Sequence, residues 1–154
     1  TGELGTASTL KVITNYLASV HLVALGEAWT VAKKSNLDLE KTFKGIAASS
    51  GNSFVHETES QVILNGSYNI NFTMDLVLKD TGLFDDLAKK LNAPLEISPK
   101  VVEIFKDGQK KYGSRAWSSM IVKRMEDLNN IDFRAKGFPE ELVDNEPEEK
   151  GYEI

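Results

Sequence analysis

Residues Thr6 to Lys34 carry an unbroken helical period, and no other feature of the chain constrains its fold so strongly. Leu10, Ile13, Leu17, Val20, Leu25, Ala28 and Ala32 recur at threes and fours, as one face of an α-helix does. Val12, Leu22, Val23 and Val31 fall off that stripe. A helix apolar on more than one side reads as the centre of a bundle. About 28 residues at 1.5 Å each span roughly 40 Å.

The rest of the chain repeats the pattern in shorter pieces. Asp38 reads as the N-cap of a second helix whose buried face is Leu39, Phe43, Ile46 and Ala47. A third helix is predicted over Ser53 to Leu64, closed by Asn65-Gly66-Ser67. A second long helix is predicted over Phe72 to Leu91. Ser98-Pro99 reads as a cap followed by proline at the first helical position. A last helix is predicted over Ala116 to Leu128. From Asn129 the period fades. The expected fold is all-α: a helical bundle built around one long N-terminal helix and a second long helix. Its domains are a helical body over residues 1–129 and an acidic, mostly irregular tail over 130–154. Phe138, Leu142, Tyr152 and Ile154 give that tail apolar anchors for partial docking.

With 154 residues, 41% apolar and 27% charged, the chain suits one soluble globular domain. No apolar run reaches the roughly 18 residues of a membrane span. Nothing at the start resembles an export signal, so a cytoplasmic protein is expected. Cysteine is absent, and His21 and His56 lack a metal-ligand spacing, so no metal site is expected. The net charge of −5 comes entirely from residues 136–154, which hold seven acids and two lysines. A neutral body with an acidic tail lacks the basic footprint of a nucleic-acid binder.

Three groups of residues could carry chemistry. Lys11 and Asn15 stand at i and i+4 on one helix face. Taken alone, they read first as a solvated face. Yet asparagine is a poor mid-helix residue, and Leu10, Val12, Ile13, Tyr16 and Leu17 leave little polar surface around them. A lysine so placed is expected to be partly desolvated, which lowers its pKa and suits it to proton transfer. Phe72 and Lys79-Asp80 lie two helical turns apart and can share a face, or be a core aromatic and a solvated pair. Gly2 and Gly5 could let a ligand approach the backbone, or be ordinary linker. No G-x-G-x-x-G and no Walker loop occurs, so the chain has no phosphate cradle of its own.

Together these residues bear a resemblance. Gly2, Gly5, Ala7, Lys11 and Asn15 form G-x-x-G-x-(G/A)-x-x-x-K-x-x-x-N at the head of a long helix. That pattern resembles the β-hydroxyacid dehydrogenases, of the 3-hydroxyisobutyrate dehydrogenase kind. The F-x-x-x-x-x-x-K-D of Phe72, Lys79 and Asp80 falls where that family carries it. The resemblance implies the family's second, helical domain, similar to the C-terminal domain of 6-phosphogluconate dehydrogenase. It implies a piece that starts about where an N-terminal Rossmann domain ends. That absent domain would bind NAD or NADP through a glycine-rich loop.

By resemblance, Lys11 matches the catalytic lysine, which exchanges a proton with the substrate hydroxyl as hydride moves. Asn15 matches the substrate-holding asparagine, and Phe72 would line the pocket near the nicotinamide. Lys79 and Asp80 match positions at the cofactor edge. The implied partners are a small 3-hydroxy acid, the Rossmann domain and a second copy in a homodimer or tetramer, packed through the Phe72–Leu91 helix. The implied reaction is oxidation of the acid to its semialdehyde, or the reverse, with the isolated chain inactive. Ala7, Ser8 and Thr14 stand where the family often has Gly, Gln and a second Asn, which bears on substrate identity. The 6-phosphogluconate dehydrogenases carry K-x-x-H-N, and Thr14 replaces that histidine. Imine reductases usually lack the lysine. Two other readings are a helical dimerisation module without activity and an unrelated helical binding protein.

Overall fold

The computed structural model describes residues 2–142. Its elements are α1 (Thr6–Lys34), α2 (Leu39–Ala47), α3 (Phe54–Asn65), α4 (Met74–Lys90), α5 (Ser98–Tyr112), a 3-10 turn (Ser118–Ile121) and α6 (Lys123–Asn129). Among the described residues the structure is all-helical; the only β pairing is an isolated bridge between Thr73 and Trp117.

Local chemistry explains most boundaries. The Asp38 carboxylate accepts the Lys41 amide at 3.0 Å, capping α2. Ser53 caps α3 in the same way through the His56 amide, and Gly66 ends α3 in the left-handed region. Two expected boundaries differ. Ser98 is the first residue of α5 rather than its cap, and its hydroxyl instead donates to Asp85, tying α5 to α4. The single last helix expected over Ala116 to Leu128 is broken into an extended Trp117, the 3-10 turn and α6. The cause is α4. Its first amides, at Met74 and Asp75, donate to the carbonyls of Ala116 and Ser114, and Ser118 N donates to Phe72 O. Those carbonyls satisfy orphan donors at the start of α4, and the residues that supply them are held in a turn closed by Ala116 N on the Gly113 carbonyl, outside any helix.

The core gathers Leu22, Leu25 and Trp29 of α1 with Ile63, Leu64, Met74, Val77, Phe105 and Val122. Only the second half of α1 is central. Leu10, Ile13 and Leu17 are exposed, so the first half projects along the edge of the bundle rather than through its middle. A polar knot fastens α1, α2 and α3. Trp29 Nε1 and the His56 ring both meet Ser60 Oγ, and His56 Nε2 reaches the Phe43 carbonyl at 3.0 Å. Burial lowers the His56 pKa against the opposing pull of that carbonyl.

The residues after α6 fold back on the body. Phe133 is fully buried and Phe138 packs edge-on against Phe43. Arg134 bonds Glu126 at 2.8 Å, Tyr68 OH at 2.9 Å and the Ile63 carbonyl at 3.2 Å. Buried Glu126 also accepts from Tyr68 OH and from the Phe133 amide. Leu142 is half-buried at the edge of the described chain, and Tyr152 and Ile154 lie outside the described residues.

Two stability effects follow. Gly66 has φ of 97°, and a Cβ there would overlap the Arg134 guanidinium that Glu126 holds. Gly66→Ala is expected to cost about 2–4 kcal/mol in urea denaturation. Gly82→Ala, with open space around its Cβ, is expected to be neutral or to stabilise by about 0.5–1 kcal/mol.

Glu59 titrates against the fold. Its Oε2 is sealed from solvent and has no partner among the described residues, and burial pushes the carboxyl up to about 8 from 4.5. The folded chain keeps a proton that the unfolded chain releases first. The stability it contributes is full below about pH 4.5 and is lost as pH rises through about 8. Glu59→Gln should melt about 10 °C above the parent at pH 8.5 and close to it at pH 4.5. Coincident curves at pH 8.5 would mean the carboxyl ionises freely in the fold.

Candidate active site

The N-terminal half of α1 and the middle of α4 enclose a groove of about 460 Å³. From α1 come Ala7, Ser8, Lys11, Val12 and Asn15, and from α4 come Asp80 and Leu83. The α1 residues are spaced at threes and fours, so one face of the helix forms that wall. Ala7 and Ser8 are small, which leaves the space open above Lys11.

One bond closes the groove at its inner end. Asn15 Nδ2 donates to Asp80 Oδ2 at 2.5 Å. Beside it the Tyr16 ring stacks on Phe84, with centroids 4.0 Å apart and planes 7° from parallel. Burial first, and the Asp85 charge second, push the Tyr16 phenol up, so it stays neutral. Ser19 Oγ donates to the Asn15 carbonyl at 2.9 Å, which adds a side-chain bond inside the α1 turn that carries Asn15.

Lys11 lies in the groove but is exposed, not partly desolvated as the sequence suggested. The cause is its place on the projecting half of α1, where α4 alone faces it. Its ammonium has no acidic partner among the described residues, so it is free to meet a ligand. The structure brings Lys11, Asn15 and Asp80 together. Phe72 and Lys79 do not line the groove. Phe72 precedes α4, packs against the core and lends its carbonyl to Ser118. Lys79 is exposed, about 100° around the helix from Asp80. Two features went unread in the sequence: the Tyr16–Phe84 stack and the pairing of Asp80 with Asn15. The adjacency of Tyr16 to Asn15, and Phe84 one turn after Asp80, was the available signal.

The groove offers one cation, one amide and one carboxylate, which suit the reacting end of a dinucleotide rather than its pyrophosphate. Among the described residues no glycine-rich loop offers backbone amides to a pyrophosphate.

The all-helical fold with its long first helix is the fold of the helical domain of hydroxyacid dehydrogenases. Residues 5–125 match the sequence model of a family described as the NAD-binding domain of NADP-dependent 3-hydroxyisobutyrate dehydrogenase. The chain belongs to that family, whose cofactor is NAD or NADP. It is 30% identical over 121 residues to an L-threonate dehydrogenase of Haemophilus influenzae, covering 79% of this chain and 40% of the relative. An Escherichia coli K12 protein of the same name is 31% identical with the same coverage. A 2-(hydroxymethyl)glutarate dehydrogenase of Eubacterium barkeri is 29% identical over 131 residues, 84% of this chain and 44% of that one. Among solved structures, a 3-hydroxyisobutyrate dehydrogenase from Salmonella typhimurium superposes with a TM-score of 0.70 at 29% identity, covering 76% of this chain and 41% of that one. The chain thus spans about two-fifths of the length of these relatives.

The Asn15–Asp80 bond is charge-assisted and half-buried, so Asp80→Ala should cost about 1–2 kcal/mol in urea denaturation of the chain. Lys79→Ala should change stability by less than about 0.5 kcal/mol. Equal effects of the two would deny the bond any weight in the fold.

Proposed function

We propose that this chain is the C-terminal catalytic domain of an NAD(P)-dependent 3-hydroxyacid dehydrogenase, with Lys11 as its proton-transfer group. The observation that carries this reading is the groove. It is lined by a lysine without an acidic partner, an asparagine one helical turn along α1 and an aspartate from α4, in a chain of this family. The bound nicotinamide supplies the hydride chemistry. In oxidation the amine of Lys11 takes the proton of the substrate hydroxyl, so that no protonated carbonyl is left when hydride departs from the same carbon. In reduction the ammonium returns it. Asn15 holds the substrate beside Lys11.

Under this reading an N-terminal Rossmann domain holds the pyrophosphate and closes the open side of the groove, in a cytoplasmic enzyme. Phe72 and Lys79 then act outside the groove, Lys79 at the cofactor edge and Phe72 through packing. The isolated chain is inactive. Assembly as a homodimer or tetramer belongs to the same proposal. A role in assembly alone is the second reading, favoured by the exposed Leu10, Ile13 and Leu17 on the face of α1 turned away from the groove.

Lys11→Ala decides between them. In the complete enzyme it is expected to lower kcat by about 10²–10⁴-fold, while circular dichroism and NAD(P)H fluorescence titration stay at parental values. Near-normal turnover overturns the assignment of Lys11, and a complete protein that never binds NAD(P)H overturns the dehydrogenase reading itself.

A further inference from the structure

We propose that the outer face of α1 is a self-pairing surface. Two copies of this chain lie α1 against α1, antiparallel, about a twofold axis between Val20 and His21. This pairing gives a surface to the assembly proposed above and holds whatever the role of Lys11.

The face runs nearly the whole length of the helix. Leu10, Leu17, His21, Ala24, Ala28 and Val31 recur at the threes, fours and sevens of a coiled-coil seam. All of them are exposed, and Ile13, also exposed, flanks them. No Asp, Glu, Lys or Arg stands in the row. A helix face that meets only water carries polar and charged residues, so a row of this kind marks a contact. The bundle does not supply that contact, because it packs on α1 through Leu22, Leu25 and Trp29.

The order of the side chains names the occupant. The row is bulky toward Leu10 and small at Ala24 and Ala28. A second copy running the other way sets Leu10 opposite Val31, Ile13 opposite Ala28 and Leu17 opposite Ala24, all in one register. Bulk then meets hollow along the contact, as close-packed helices require. A parallel copy would set leucine on leucine and alanine on alanine. An isologous contact closes at two copies. The nucleotide-binding domain of the reading above is a poorer occupant. It closes the groove, and Lys11 and Asn15 lie roughly 140° around α1 from the seam. The α4 helix is poorer too, since Leu83 and Leu91 are its exposed large apolar residues. Antiparallel pairing leaves both grooves open and sets the two Lys11 residues about 28 Å apart along the helix direction.

The seam is about 32 Å long and about 10 Å wide, near the low end of specific interfaces at about 1,000 Å² in total. Sedimentation equilibrium of the 154-residue chain is expected to show a monomer–dimer equilibrium with a Kd of about 1–100 μM. Leu17→Glu would bury two carboxylates in the contact and should raise Kd at least about tenfold. Its circular dichroism should stay parental, because Leu17 faces solvent in the single chain. Ala28→Glu, also at an exposed position, should do the same. The chain has no cysteine, so one introduced thiol reports the register. Under mild oxidation His21→Cys should crosslink with its own copy beside the axis. Leu10→Cys should not, with its copy about 32 Å away. A chain monomeric at millimolar concentration, a dimer indifferent to both Glu variants, or a His21→Cys chain that crosslinks no faster than Leu10→Cys each overturns the proposal. None of these measurements reads turnover, so the pairing and the dehydrogenase reading fail separately.

Discussion

The register of α4 against α1 is the constraint on which the rest depends. Apolar contact alone sets it loosely, since one row of leucines and valines packs much like the next. Polar and aromatic contacts remove the slack. At one end Asn15 bonds Asp80 and Tyr16 stacks on Phe84. At the other, Met74 and Val77 are buried while the first amides of α4 are held by Ala116 and Ser114. A slip of one turn, about 5.4 Å, would break every one of these contacts and carry Asp80 out of reach of Asn15. The same register therefore stabilises the bundle and assembles the groove.

What could be read from the sequence follows from how local each cause is. The bounds of α1, Thr6 to Lys34, agree with its period because threes and fours are set within one helix. The Asp38 cap was equally legible, since its partner is three residues away. The break at Trp117 was not, because its cause is the start of α4, more than 40 residues earlier. Ser98 looked like a cap and is instead a tether, because Asp85 competes for its hydroxyl. Phe133 and Arg134 carried no period to announce them, yet they close the core through Glu126 and Tyr68.

The candidate site divides in the same way. Lys11 and Asn15 were visible as an i,i+4 pair, but the partner of Asn15 lies 65 residues downstream. Phe72 and Asp80 were expected on one face by helical arithmetic. That arithmetic fails at Phe72, which lies in the extended entry to α4 where no helical angle applies. Lys79 differs from Asp80 by a single position, yet that rotation takes it from the groove wall to solvent.

The projecting half of α1 ties these observations to function. Its groove face carries Lys11 and Asn15 among small and apolar residues and is open, and its outer face shows Leu10, Ile13 and Leu17 to solvent. Proton transfer gains from a site that excludes water, where a positioned dipole or charge acts more strongly. One wall of two helices cannot exclude it. Under the proposed reading the second wall arrives with the nucleotide-binding domain, so the lysine meets a dry site only when the hydride carrier is also in place. Proton and hydride then move together or not at all. Under that reading, the coupling accounts for Lys11 standing on a half-helix that the bundle itself leaves uncovered.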